Sequence, residues 1–222
     1  MAEERGKMTP TKLVLFIAML LIFAQAMLYF YAAVVLPINI LYGILCLVFV
    51  FIIFVSLDLI GLGPIKIPYW WWLMLIIGVL MILFDYLTGI AVYGLLYFTG
   101  TLVILAVLME LVGGKMKLEG CKFMVFFGVL FGIWDCITIF IGYTAGGELG
   151  LVNGIFGLIL MIILLILVFN FFDIKIPYIW WVLLIIAFVM YTFVDIYAGG
   201  YPVTGFSGTI LMIAFVCHIY FK

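Results

Sequence analysis

Apolar residues fill this chain in eight long blocks, broken by short stretches that collect glycine, proline, lysine and the acidic residues. Blocks of about 20 apolar residues match the ~30 Å hydrocarbon core of a bilayer at 1.5 Å of rise per residue. The pattern predicts membrane-spanning helices near residues 13–34, 38–56, 67–87, 92–112, 121–143, 151–171, 176–197 and 203–221. The expected fold class is therefore an all-α integral membrane protein, an eight-helix bundle.

The first block invites a different reading. Arg5, Lys7 and Lys12 precede the apolar run from Leu13 to Phe23, and Ala24-Gln25-Ala26 follows it, as in a cleavable signal peptide. The run does not stop there but continues through Met27 to Leu36. That length predicts a retained spanning helix.

A second pattern lies on top of the first. Ile65-Lys66-Ile67-Pro68-Tyr69 recurs as Ile174-Lys175-Ile176-Pro177-Tyr178, and Trp71-Trp72 recurs as Trp180-Trp181. Eleven of the seventeen positions in 65–81 are identical in 174–190, at an offset of 109. The flanks align at nearby offsets: Lys12 with Lys122, Tyr42-Gly43 roughly with Asn153-Gly154, and Gly100-Thr101 with Gly208-Thr209. Self-similarity of this kind predicts duplication. The expected organisation is a cytoplasmic N-terminal segment at 1–12, a four-helix repeat at 13–112, a cytoplasmic linker at 113–120, and a second four-helix repeat at 121–221. Four helices return the chain to its starting side, so the two repeats should be parallel.

Charge fixes an expected orientation. The basic residues are Arg5, Lys7, Lys12, Lys66, Lys115, Lys117, Lys122, Lys175 and Lys222. On this helix map all of them fall on the side of the N-terminus. The positive-inside rule makes that side cytoplasmic, with both termini there, in a multi-pass protein of the cell membrane. The Trp clusters beside Pro68 and Pro177 then read as an interfacial aromatic belt at helix starts.

Composition agrees and excludes much. The 222 residues are 71% apolar and 9% charged, with a mean hydropathy of +1.55, whereas soluble domains carry roughly 25% charged residues. The helices use most of the chain, which leaves no room for a soluble catalytic head or a nucleic-acid module. Cys46, Cys121, Cys136 and Cys217 lie singly, with no CxxC pair, and read as small core residues.

The side opposite the lysines is acidic. Each odd-numbered helix carries one strongly polar residue toward its outer end: Gln25, Asp85, Asp135 and Asp195. Glu148 falls in the outer loop before the sixth helix. Asp135 lies 13 residues beyond Lys122, ~20 Å along a helix. A lipid-facing carboxylate at that depth costs a few kcal/mol, so Asp135 should face the bundle interior and pair, hold a cation or carry a proton. Asp85 and Asp195 lie nearer their helix ends, where outer headgroups and water could serve them. The spacing from Met81 to Asp85 is one residue shorter than that from Met190 to Asp195, a slip of about 100° on a helix unless a bulge absorbs it.

Thr138 lies one turn after Asp135 and Thr192 one turn before Asp195, so each shares a face with its acid. Carboxylates and hydroxyls at one depth can replace a cation's hydration shell. Thr99-Gly100-Thr101, Asn153-Gly154 and Ser207-Gly208-Thr209 mark the outer starts of even helices. The Gly128-x-x-x-Gly132 pair is a close-approach surface for helix packing.

Enzyme signatures do not assemble. Gly205-Phe206-Ser207-Gly208 resembles, over four residues, the nucleophile motif of rhomboid-type intramembrane proteases. Such a serine needs a base within hydrogen-bond reach, and the sole histidine, His218, lies 11 residues on, ~16 Å along the helix. One histidine and scattered cysteines build no zinc site, and no lysine lies mid-helix for a Schiff base. No cofactor, metal or nucleic acid is expected.

Two functions fit. One is a transporter or channel-like protein for protons, cations or a small cationic substrate, its site between the halves, with Asp135 as principal carboxylate, Asp85 and Asp195 as partners, and Gln25 as the neutral fourth member. The other is a membrane scaffold or complex subunit, alone, as a homo-oligomer or with another membrane protein, whose acids meet a partner's basic helix or the headgroups. The lipid bilayer is the partner common to both.

Overall fold

The apolar blocks form helices. The structure, a computed structural model, describes residues 8–34, 36–57, 70–88, 95–116, 120–141, 143–169, 180–195 and 205–221, and no strand occurs among them. The helices are α1 (Pro10–Ala32), α2 (Asn39–Ser56), α3 (Trp71–Thr88), α4 (Leu95–Met116), α5 (Gly120–Ile141), α6 (Tyr143–Phe169), α7 (Trp180–Val189, running on as a π-helical turn over Met190–Asp195) and α8 (Ser207–Phe221).

Local chemistry sets several ends. Pro10 opens α1, where its missing N–H costs nothing, and the Thr9 hydroxyl accepts from the Lys12 backbone N–H at 3.3 Å. At the end of α1 the Ala32 carbonyl accepts from the Leu36 N–H at 3.1 Å and from the Asn39 side-chain amide at 3.3 Å. Most boundaries fall within a few residues of the sequence expectation. The exception is α6, which begins at Tyr143 rather than near 151. The stretch Gly146-Gly147-Glu148 reads locally as a loop but is helical, so Glu148 belongs to α6; its side chain lies outside the described residues.

The chain divides into two compact units, Met1–Met116 and Lys117–Lys222. In the first, α1 packs on α2 and on α4, and α3 packs on α4. The buried face of α1 runs through Leu15, Ala18, Ile22, Gln25 and Tyr29, a spacing of three to four residues that only a helix produces. Gly43 of α2 seats the Phe30 ring of α1: a Cβ there would meet Phe30 at 2.7 Å. Gly78 and Gly100 bring α3 and α4 together antiparallel, with Gly78 against Ile104 and Gly100 against Ile82.

In the second unit α5 packs on α6 and on α8, and α7 packs on α8. Gly154 of α6 seats Phe140 of α5, Gly128 of α5 receives Leu211 of α8, and Gly132 receives Met161 of α6. The two glycines of the Gly128-x-x-x-Gly132 surface thus serve different neighbours. Gly208 of α8 lies directly against the backbone of Tyr191.

The outer faces of the helices are apolar. Val152, Ile155, Phe156, Ile159 and Ile162 of α6 are all exposed, as are Ile40, Ile44, Val48 and Phe51 of α2. Trp70, Trp71, Trp72 and Trp181 are exposed as well. Among the described residues, four helices are long and apolar enough to cross a membrane, those at Pro10–Ala32, Asn39–Ser56, Gly120–Phe140 and Gly150–Val168, and the shorter ones are apolar too. This architecture fits a multi-pass membrane protein, because only lipid suits so much exposed hydrocarbon.

Candidate functional site

The start of α8 organises the second unit's polar residues. Its first intrahelical bond runs from the Ile210 N–H to the Phe206 carbonyl at 2.9 Å, so the N–H groups of Ser207 and Gly208 have no partner within the helix. Two carboxylates from two other helices take them. Asp135 of α5 accepts from the Gly205 N–H at 2.9 Å on Oδ1 and from the Ser207 N–H at 3.3 Å on Oδ2. Asp195, at the end of the π turn, accepts from the Ser207 hydroxyl at 2.6 Å on Oδ1 and from the Gly208 N–H at 3.0 Å on Oδ2. Each of the four carboxylate oxygens thus has at least one donor. Asp135 is fully buried, and Asp195 is 5% exposed.

The backbone explains the convergence. Asp135 shares the buried face of α5 with Met124, Gly128 and Gly132, and so points inward. Gly205 has φ 80°, in the left-handed region, which turns its N–H toward Asp135 as the chain enters α8. The close approach at Gly208 brings α7 near enough for Asp195 to reach the helix start. Gly157 of α6 lets Val194 and Cys136 crowd in: a Cβ there would lie 2.7 Å from Val194 and 2.9 Å from Cys136.

The π turn over Met190–Asp195 accommodates one more residue than an α-turn. That is the difference in spacing between Met81–Asp85 and Met190–Asp195, and it leaves Val194 and Asp195 facing inward, where both are buried.

The electrostatics favour carboxylates here. A helix N-terminus carries roughly half a positive charge together with its unpaired N–H groups. No basic side chain among the described residues bonds either carboxylate.

The other sequence candidates divide. Thr138 donates to the backbone carbonyl of Asp135 at 2.8 Å, not to its carboxylate. Thr192 donates to the carbonyls of Phe188 at 2.9 Å and Val189 at 3.3 Å. Both hydroxyls are bonded to their own helix, the usual fate of threonine in an apolar helix. Gln25 is buried on α1, and its Oε1 has no hydrogen-bond partner among the described residues. Asp85 belongs to α3, but its side chain lies outside the described residues. Asp135, Asp195, Gly205, Ser207 and Gly208 all belong to the second unit. A contiguous four-residue signal and a cross-helix carboxylate pair are different things, and the sequence gives no direct sign that Ser207 joins Asp135 to Asp195. A serine beside glycines at a helix start, with two acids at the same expected depth, is the clue it does contain.

The Ser207 hydroxyl donates to Asp195, and among the described residues no group of three or more His, Cys, Asp or Glu could hold a metal ion. No protein-family model, no curated protein and no solved structure matches this chain.

Proposed function

We propose that this chain is a small transporter or channel-like protein that takes up a proton or small cation at Asp135 and Asp195. The single observation that carries the reading is the convergence of two buried carboxylates on one helix start. Two ionised carboxylates hold two negative charges, and the helix terminus offsets about half of one. A proton on one carboxylate, or a cation beside the pair, reduces the negative charge that remains. Buried intramembrane acids are costly and rare, and they mark ion and proton pathways.

In this reading the protein is a pair of parallel four-helix repeats. The shared string at 65–81 and 174–190 supports it, as does the same order of helix pairing in each unit. So do the matched contacts of Gly43 with Phe30 and Gly154 with Phe140. Both termini face the cytoplasm, on the side that carries the basic residues. Gln25 then stands where Asp135 stands in the second repeat, and the first repeat keeps a neutral counterpart of the site.

A scaffold role is the second reading. The observation that favours it is that every carboxylate oxygen already has a donor, so the cluster can serve as a clasp that fixes α5, α7 and α8.

Ion flux separates the two. The purified protein is sealed into liposomes, and proton and sodium flux is followed for wild type beside Asp135→Asn, with folding of both checked by thermal melting. Flux in wild type that is lost in a folded Asp135→Asn protein supports a working site. Absence of flux above empty liposomes, or flux untouched by the substitution, overturns it.

A further inference from the structure

The four cysteines do not all lie singly in space. Cys121 is the second residue of α5, and Cys217 lies in the last turns of α8. Their sulfurs are 3.0 Å apart, both residues are buried, and both are thiols. The remaining two are placed elsewhere: Cys46 has Met81 as its sulfur neighbour at 4.0 Å, and Cys136 packs beside Gly157.

We infer that Cys121 and Cys217 form a reversible disulfide that staples the start of α5 to the end of α8. A disulfide has sulfurs about 2.05 Å apart, so closure moves them by about 1 Å, within the reach of side-chain rotation. The two helices already pack on each other, with Leu211 of α8 seated on Gly128 of α5 two turns away from Cys121. The oxidant is a small-molecule or protein disulfide. One cysteine, as thiolate, attacks a sulfur of that disulfide and forms a mixed disulfide while the first thiol leaves. The second cysteine then attacks the mixed disulfide at the protein sulfur, and the second thiol leaves. The pair loses two electrons and two protons, and the oxidant is reduced to two thiols.

The staple acts on the same helix pair that carries the carboxylate cluster, at the opposite end. Asp135 lies 14 residues from Cys121 along α5, ~21 Å, and Ser207 lies ten residues from Cys217 along α8, ~15 Å. Oxidation therefore limits how far α8 can slide or tilt away from Asp135. The staple stands whether the cluster moves ions or only clasps helices.

The test uses the full-length protein in detergent, treated with an apolar aromatic disulfide such as dipyridyl disulfide. Peptide mass spectrometry follows, without reduction. The expected product is a linked pair of peptides containing Cys121 and Cys217, lighter by two hydrogens, with two thiopyridones released per link and reversal by dithiothreitol. Stable pyridyl adducts on Cys121 and Cys217 separately, or links to Cys46, Cys136 or a second chain in their place, would overturn it, as would four unmodified thiols under conditions where denatured protein reacts fully. Cys217→Ser serves as the control and should replace the link with a single adduct on Cys121.

Discussion

The Ser207 side chain donates to Oδ1 of Asp195 at 2.6 Å, while its backbone N–H donates to Asp135 at 3.3 Å. One residue thus ties two buried acids on two helices to the start of a third. Removing the hydroxyl alone, as Ser207→Ala, keeps every backbone bond and strips Asp195 of its shortest one. A hydrogen bond to a charged group contributes about 1.5–3 kcal/mol, so a lower thermal midpoint is expected in detergent. Ser207→Thr keeps the hydroxyl and should lose less.

Gly208 tests the close approach of α7 and α8. A Cβ there would strike the Tyr191 backbone, lying 2.6 Å from its Cα, and backbone cannot swing aside as a side-chain tip can. Gly208→Ala should cost at least the ~1–3 kcal/mol typical of overpacking. Gly150→Ala is the matched control, since among the described residues its Cβ would meet only Ile139 at 3.8 Å, an ordinary contact. Thermal melts of the two variants should differ clearly, with Gly150→Ala close to wild type.

Gly205 is strained for any other residue. Its φ of 80° costs a non-glycine residue about 1–3 kcal/mol. Gly205→Ala is expected to lower stability, and Gly205→Asn to lower it less, because asparagine tolerates the left-handed region better. Equal melts for wild type and Gly205→Ala would show that the turn does not need this conformation.

The π turn makes an unusual deletion harmless. Removing Thr192 converts the turn to regular α-helix and leaves Asp195 on the same face. Removing Leu184 from the regular part of α7 rotates everything beyond it by about 100° relative to what precedes it. Size-exclusion profiles and melts should show a folded protein for the Thr192 deletion and an aggregated or strongly destabilised one for the Leu184 deletion.

The sequence carries the helices well and the site only in part. Long apolar blocks place the elements because the bilayer demands continuous hydrocarbon of fixed length, and composition alone meets that demand. Local breakers mislead at Gly146-Gly147, where α6 begins at Tyr143 despite them, since helices in an apolar setting gain little from ending at glycine. Asp135 is legible as an inward-facing acid from its depth. Asp195 is not, because its distance from the helix start allows a headgroup position, and only the π turn and the contact at Gly208 bring it inside. Thr138 and Thr192 sit on the expected faces, yet their hydroxyls turn to their own helices, a local competition that spacing does not reveal. The Cys121 and Cys217 pair is invisible in a one-dimensional reading, since nearly the whole second unit separates the two positions.

The most direct measurement of the central claim is infrared difference spectroscopy of the carboxyl groups in reconstituted protein, titrated with acid and with alkali and alkaline-earth cations. The expected result is a carboxyl C=O band that disappears as a proton leaves or a cation enters, and that is altered in both Asp135→Asn and Asp195→Asn. A carboxyl spectrum that does not respond to pH or to any of these cations, in protein that remains folded, would contradict it and leave the pair as a clasp between helices.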